Sequence, residues 1–316
     1  MGNAVKMGIL GAAAITLILL FLFIDIGPHW DYVLPRRGKK ILAIVLTGSA
    51  IAFSTVIFQT ITNNRILTPS IIGLDALYML IQTVIVFTAG STTLVMMNKN
   101  LHFAISVGLM VLFAGVLYKI LFRGEGRNLY FLLLIGIIFG TFFSSISSFM
   151  QMIIDPNEFL VLQNRMFASF NNVNTDLLMI SGIVLLAIAV YFVRFAKYLD
   201  AISLGRDHAV NLGIPYDLVV KRMLMMVAVL VSVSTALVGP ITFLGLLVAN
   251  VAYQYHGTHK HKILIPGAIL ISIVALVGGQ LIVERVFTFS TTLSVIINFI
   301  GGVYFIYLLL KGNPSK

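Results

Sequence analysis

The 316-residue chain has no cysteine, which excludes disulfides and thiolate metal sites. Charge is scarce too: 10% of residues are Asp, Glu, Lys or Arg, against roughly 25% in soluble domains, so a soluble globular fold is excluded. Neither G-x-x-x-x-G-K-[ST] nor H-E-x-x-H occurs, so there is no phosphate loop and no zincin helix. No acid–base or nucleophile cluster points to an intramembrane enzyme. Short repeats, low-complexity tails and a separate soluble domain are missing as well. If such a chain moves a solute uphill, its energy comes from an ion gradient or from a partner ATPase.

What is present is hydrocarbon. Hydrophobic residues make up 59% of the chain and the mean hydropathy is +1.03. A helix crosses about 30 Å of hydrocarbon with roughly 20 apolar residues. Candidate spans lie near 7–26, 40–60, 71–89, 102–121, 130–150, 177–193, 222–240, 243–255, 264–283 and 294–310, the eighth short enough for a half-helix. Segment 41–61 runs apolar on every face, unlike the alternating strands of about ten residues in a membrane barrel. The expected fold is therefore an all-α integral membrane protein, about ten helices in a compact bundle, forming one transmembrane domain over residues 1–316. The first run has only Lys6 as a basic flank and no clear small-x-small cleavage site, so it reads as a retained helix.

With both termini cytoplasmic, Arg65, Lys119, Arg123, Arg127, Arg194, Lys197, Arg206, Lys221, Arg222, Lys260, Lys262, Lys311 and Lys316 fall inside. Arg36, Arg37, Lys39, Lys40, Lys99, Arg165 and Arg285 fall outside. That bias of about two to one inward is the positive-inside pattern. The net charge of +10 is thus a topology signal, not a nucleic-acid footprint.

Three polar connections interrupt the apolar runs: Asp25–Lys40 and Gln151–Asp176 outside, and Arg194–Arg222 inside. The second spaces Phe159, Leu162, Met166 and Phe170 as a short amphipathic helix. The third contains LGRDHAVNLG, in which Gly205 and Gly213 can end or bend short helices. Leu204, Ala209 and Leu212 would offer a small apolar face, with Arg206 and Asp207 beside it. The residues alone leave two readings open, a docking element for a cytoplasmic partner and a linker lying on lipid headgroups.

In GPITFLGLL, Gly239, Pro240 and Gly245 interrupt an apolar run around Phe243. Irregular backbone in a membrane must be buried or line a cavity, so this is a turn between half-helices beside a path or a kink in an ordinary span. Gln59, Asn63 and Asn64 close the second span with amides for a path or for helix ends. Pro69, Gly73 and Asp75 follow, with Asp75 near a helix start where the backbone dipole lowers the cost of its charge. Few other charges lie within the spans, which argues against a proton or sodium relay. Gly136 and Gly140, and Gly48 with Ala52, are spaced for close helix packing. His256, His259 and His261 sit among Lys260 and Lys262 without a carboxylate nearby in sequence, so the expectation is a charged inner loop and no metal site.

Several of these segments resemble the iron-siderophore and vitamin B12 importer permeases, the FecCD/BtuC-like membrane subunits of type II ABC importers. In 34–77 the chain supplies Leu34, Pro35, Arg36, Gly48, Gln59, Asn64, Pro69 and Gly73 in that family's order. LGRDHAVNLG is similar to its L-G-x-x-x-A-x-x-L-G coupling segment, GPITFLGLLVAN to G-x-I-x-F-V-G-L-x-x-P-H, and GGVYFIYLLLK to its terminal G-A-P-F-F-x-x-L-L. The chain departs from the pattern at Val33, Arg65, Ala249, Asn250 and Ser290–Ser294.

The resemblance implies a non-enzymatic permease of the bacterial inner membrane, with no cofactor of its own, taking up a ferric siderophore, possibly of catecholate type. It implies two cytoplasmic ATPase subunits docking at Leu204–Gly213 and a second permease subunit. An extracellular binding protein would meet Arg36, Arg37 and Arg285. Gln59, Asn63, Asn64, Pro69, Gly73 and Asp75, with Gly239, Pro240, Phe243 and Gly245, would line the path. An ion-coupled secondary carrier, or a cobalamin or haem permease, is the alternative.

Overall fold

The computed structural model describes residues 2–121, 129–171, 173–289 and 291–310. Arg123, Arg127, Ser290, Lys311 and Lys316, which enter the sequence argument above, lie outside the described residues. The described residues form twelve α-helices and no strand: α1 (Asn3–Phe23), α2 (Trp30–Thr62), α3 (Leu74–Met96), α4 (Lys99–Leu121), α5 (Leu129–Gln151), α6 (Pro156–Met166), α7 (Thr175–Ile202), α8 (Arg206–Asn211), α9 (Tyr216–Val238), α10 (Leu244–His256), α11 (His261–Arg285) and α12 (Leu293–Leu310). A 3₁₀ turn, Pro69–Ile72, precedes α3.

Every expected apolar run contains one helix. Eight of these are long and apolar enough to cross a membrane: α1 to α5, α7, α9 and α11. α10 has 13 residues, about 20 Å at 1.5 Å per residue, too short to cross by itself. In α12 the apolar stretch is Leu293–Tyr307.

The interior is built on α2, α9 and α11, whose apolar windows are 72%, 72% and 61% buried, against 11% for α1. Small residues allow the close approach. A Cβ added at Gly48 of α2 would stand 2.7 Å from Ser272 Oγ of α11, so that helix pair tolerates no side chain there. The remaining helices wrap this trio and turn apolar residues such as Leu186 and Val193 of α7 outward, as lipid contact requires.

The polar connections are more helical than the sequence suggests. Most of Asp25–Lys40 belongs to α2, which runs through Pro35. Pro35 lacks an N–H for the Asp31 carbonyl one turn earlier, and that carbonyl belongs to an exposed residue in the first turn of α2, where water can replace the lost donor. Likewise Arg194–Ile202 completes α7 and Tyr216–Arg222 begins α9, so the inner polar stretch contracts to residues 203–215. α6 is the expected surface helix, started by the Asp155 carboxylate accepting from Asn157 N–H at 2.9 Å. It docks through Leu162 against Val86 of α3. Glu158 of α6 also accepts from Ser91 N–H, where Gly90 breaks α3 at φ 79°.

Contacts between helix ends define two poles. At one, Lys6 of α1 donates to the Tyr255 carbonyl at 2.6 Å, joining the start of α1 to the end of α10. At the other, Lys40 of α2 meets Glu284 of α11 at 2.5 Å, and Arg285 meets Asp25 at 2.8 Å.

Candidate functional site

The element at 203–215 is a six-residue helix held between two glycines with positive φ, Gly205 at 99° and Gly213 at 78°. A side chain would meet no atom within 4 Å at either position, so the need for glycine is conformational. One expectation is corrected. Ala209 is fully buried and faces the bundle, where its small side chain lets α8 lie flat. The outward apolar face consists of Leu204, Val210 and Leu212, at 58%, 47% and 65% exposure. A six-residue helix shows too little periodicity for sequence to assign its faces, and Val210 was missed for that reason. Arg206 reaches Asp217 at 3.8 Å, while Asp207 stands exposed in the first turn.

The second group gathers around a small cavity of about 20 Å³, room for roughly one water. Thr55, Ser70, Asp75, Ser234, Thr235 and Thr242 line it, with Pro69 and Gly245. Asp75 accepts from Thr235 at 3.2 Å and lines the cavity beside Ser70, so α3, the 3₁₀ turn and α9 meet around its carboxylate. The turn rests on α5: a Cβ at Gly136 would lie 2.8 Å from Ile71 O, and one at Gly73 would lie 3.0 Å from Gly140 Cα. The G-x-x-x-G pair therefore supports a turn, not a second helix.

The interruption at 239–243 is real, but it separates a full-length α9 from a short α10, not two half-helices. Gly239, at φ 102°, packs on the Ala168 backbone, and Val238 O accepts from Ser169 N–H at 2.8 Å. The outer connection between α6 and α7 thus bears directly on the break, a contact no sequence signal announced. Pro240 is buried within it. Phe243 caps α10 and fills the space above Gly301 of α12. Gly245 lies so close to Thr55 that a Cβ would collide with its hydroxyl.

A model of the FecCD transport family matches residues 16–311. The chain belongs to that family. It is 69% identical over its whole length, and the whole of the relative's, to the petrobactin import system permease protein YclO of Bacillus subtilis. It is 38% identical to the petrobactin import system permease protein FatC of Bacillus anthracis, over 90% of this chain and 80% of that one. Among solved structures, a metal-chelate type ABC transporter in an inward-facing conformation superposes with a TM-score of 0.85 at 20% identity, covering 98% and 100% of the two chains. The last shows the fold alone. As a FecCD permease the chain is a transport component of an ABC importer, not an enzyme, and a multi-pass protein of the bacterial inner membrane.

Two departures from the FecCD pattern meet in space. Asn250 of α10 donates to the Arg65 carbonyl at 2.8 Å, and Gln59 of α2 donates to the same oxygen at 2.7 Å. The Arg65 guanidinium lies 4.5 Å from the Tyr253 ring centre and 3.3 Å from His259 Nδ1. Asn63 is the left-handed cap of α2, and the Asn64 side chain accepts from Ile66 N–H at 2.9 Å. The Gln59 and Asn64 side chains thus fasten the turn that follows α2. Ala249, the adjacent departure, is fully buried.

At the opposite pole the expected docking arginines separate. Arg37 donates to the carbonyls of Phe21, Leu22 and Ile24 at the end of α1. Arg285 holds Asp25 and Ile24 O. Arg36 is exposed and makes no hydrogen bond or ion pair among the described residues. His256 and His261 are buried, not in an open charged loop, and no group of three metal-ligating side chains occurs among the described residues.

Proposed function

We propose that this chain is the permease of an ATP-driven importer of the siderophore petrobactin. The observation that carries the cargo assignment is the 69% identity along the full chain to a petrobactin permease. Two cytoplasmic ATPase subunits dock on the exposed Leu204–Val210–Leu212 face of α8 and on its counterpart in a second permease subunit. Closure of the ATPases on ATP displaces α8, and the continuous α7 and α9 carry that displacement into the bundle. The path opens alternately at the two poles, between the permease subunits, beside the turn at Pro69–Ile72 and the break at 239–243. A binding protein delivers cargo at the pole of Lys40 and Glu284, where the exposed Arg36 offers a cation to its carboxylates.

The test is uptake of radio-iron petrobactin by a deletion strain carrying the wild-type chain or Leu212→Asp. A charge on this exposed apolar face should abolish ATPase co-purification and uptake while leaving the amount of folded permease unchanged. Uptake that follows an ion gradient and persists without ATPase subunits would overturn the reading. So would restored uptake of other ferric chelates with no response to petrobactin.

A further inference from the structure

We infer that Asp200, His261 and Thr60 form a positioning clasp that ties the docking helix α8 to the inner end of the path. The inference rests on the importer reading above. Asp200 lies in the last turn of α7, just before α8. Its Oδ1 accepts from His261 N–H at 3.0 Å and from His261 Nδ1 at 2.5 Å. That fixes a proton on Nδ1 and leaves Nε2 as an acceptor 2.7 Å from Thr60 Oγ1 of α2, whose one hydroxyl proton is shared between Nε2 and the Val56 carbonyl at 2.8 Å. One residue before Thr60, Gln59 holds the Arg65 carbonyl, which Asn250 of α10 also holds. A short run of side chains therefore joins the end of α7 to α11, α2, α10 and the loop leading to Pro69.

Position gives this network its role. Gly205 and Gly213, at φ 99° and 78°, are the two joints at which the chain turns into and out of α8, and between them α8 meets the bundle through the small buried Ala209. The clasp grips the chain immediately ahead of the first of these joints. Capping the start of α11 would need only the bond from Asp200 to the backbone N–H. The imidazole and Thr60 extend the connection across the bundle to α2. Burial by itself does not enforce such pairing: His256 is 3% exposed and neither ring nitrogen has a partner, whereas His261 is 5% exposed with both engaged.

The experiment reconstitutes the whole importer in proteoliposomes and compares Asp200→Ala, Thr60→Val and Thr60→Ser with wild type. Two ratios are measured: petrobactin-bound iron transported per ATP hydrolysed, and ATP hydrolysis with binding protein over hydrolysis without it. The second needs no cargo. Asp200→Ala and Thr60→Val should lower both ratios about tenfold, with basal hydrolysis and ATPase co-purification within about twofold of wild type. Thr60→Ser keeps the hydroxyl and should match wild type. Thr60→Val that behaves like Thr60→Ser, or variants that lose the ATPase subunits altogether, would overturn the clasp. A wild-type assembly that shows binding-protein stimulation but no petrobactin uptake would sink the cargo assignment alone, leaving the stimulation ratio to judge the clasp.

Discussion

Replacing Gly136 by alanine tests whether the turn before α3 is held by the backbone of α5. The added Cβ would stand 2.8 Å from Ile71 O and 2.9 Å from Ile72 Cα. Both are main-chain atoms, so no rotamer change relieves the contact and the turn itself must move. Overpacking of this kind costs about 1–3 kcal/mol. Alanine returns about 1 kcal/mol of helix propensity, leaving a net loss of roughly 0–2 kcal/mol. Gly108 of α4 is the control, because a Cβ there meets nothing within 4 Å. Gly108→Ala should be neutral or gain up to about 1 kcal/mol. Thermal unfolding in mild detergent should then separate the two variants by about 2–6 °C, Gly136→Ala being the lower. The displaced turn also carries Ser70 away from Asp75, so transport should fall in the same variant. Equal midpoints for the two alanine variants would refute the argument that the glycine pair supports the turn.

Three further outcomes follow from specific contacts. Lys40 and Glu284 are each 12% exposed and 2.5 Å apart, so Lys40→Met or Glu284→Gln alone should cost about 2–4 kcal/mol. The double variant should cost less than either, since no unpaired charge stays buried, and a double-mutant thermal cycle measures the difference. Gly245→Ala should destabilise by about 1–3 kcal/mol through its collision with Thr55; adding Thr55→Ala should restore most of the loss, and additive melting shifts would count against it. Arg37→Ala removes the donor to three carbonyls at the end of α1 and should cost about 1–3 kcal/mol. The same change should leave binding-protein affinity unaltered, whereas Arg36→Glu should weaken it in a pull-down.

Run length made the bundle legible. A window such as 41–61 has no polar face, so only a buried or membrane helix accommodates it, and every such window holds a helix. The polar ends were harder. Trp30–Lys40 and Arg194–Ile202 are helical although their composition suits a connection, because a helix that crosses the hydrocarbon continues into the interface where polar side chains are solvated. The coupling motif was found through its glycines, whose positive φ is a backbone demand that leaves a trace in sequence. The orientation of Ala209 leaves none, since a buried and an exposed alanine read alike. Contacts such as Asp200 with His261, 61 residues apart, depend on how helix ends converge, and helical periodicity carries no record of that.

Arg65 and Asn250 show what such convergence does to a family pattern. Read singly along the chain, each is a departure at a motif position, Asn250 standing where the pattern has its histidine. In the folded chain they form one contact, with the Asn250 amide on the Arg65 carbonyl and the Arg65 guanidinium over Tyr253 of the same helix. The bond from Gln59 to the same carbonyl uses a residue the family pattern retains. The loop after α2 is thus fastened to α10 in two ways, through the Arg65 main-chain carbonyl, which any residue would offer to the Asn250 amide, and through the Arg65 guanidinium over Tyr253. Because that joint lies next to Thr60, where the clasp from the docking helix arrives, the fastening of the loop and the transmission of movement from α8 depend on the same end of α2.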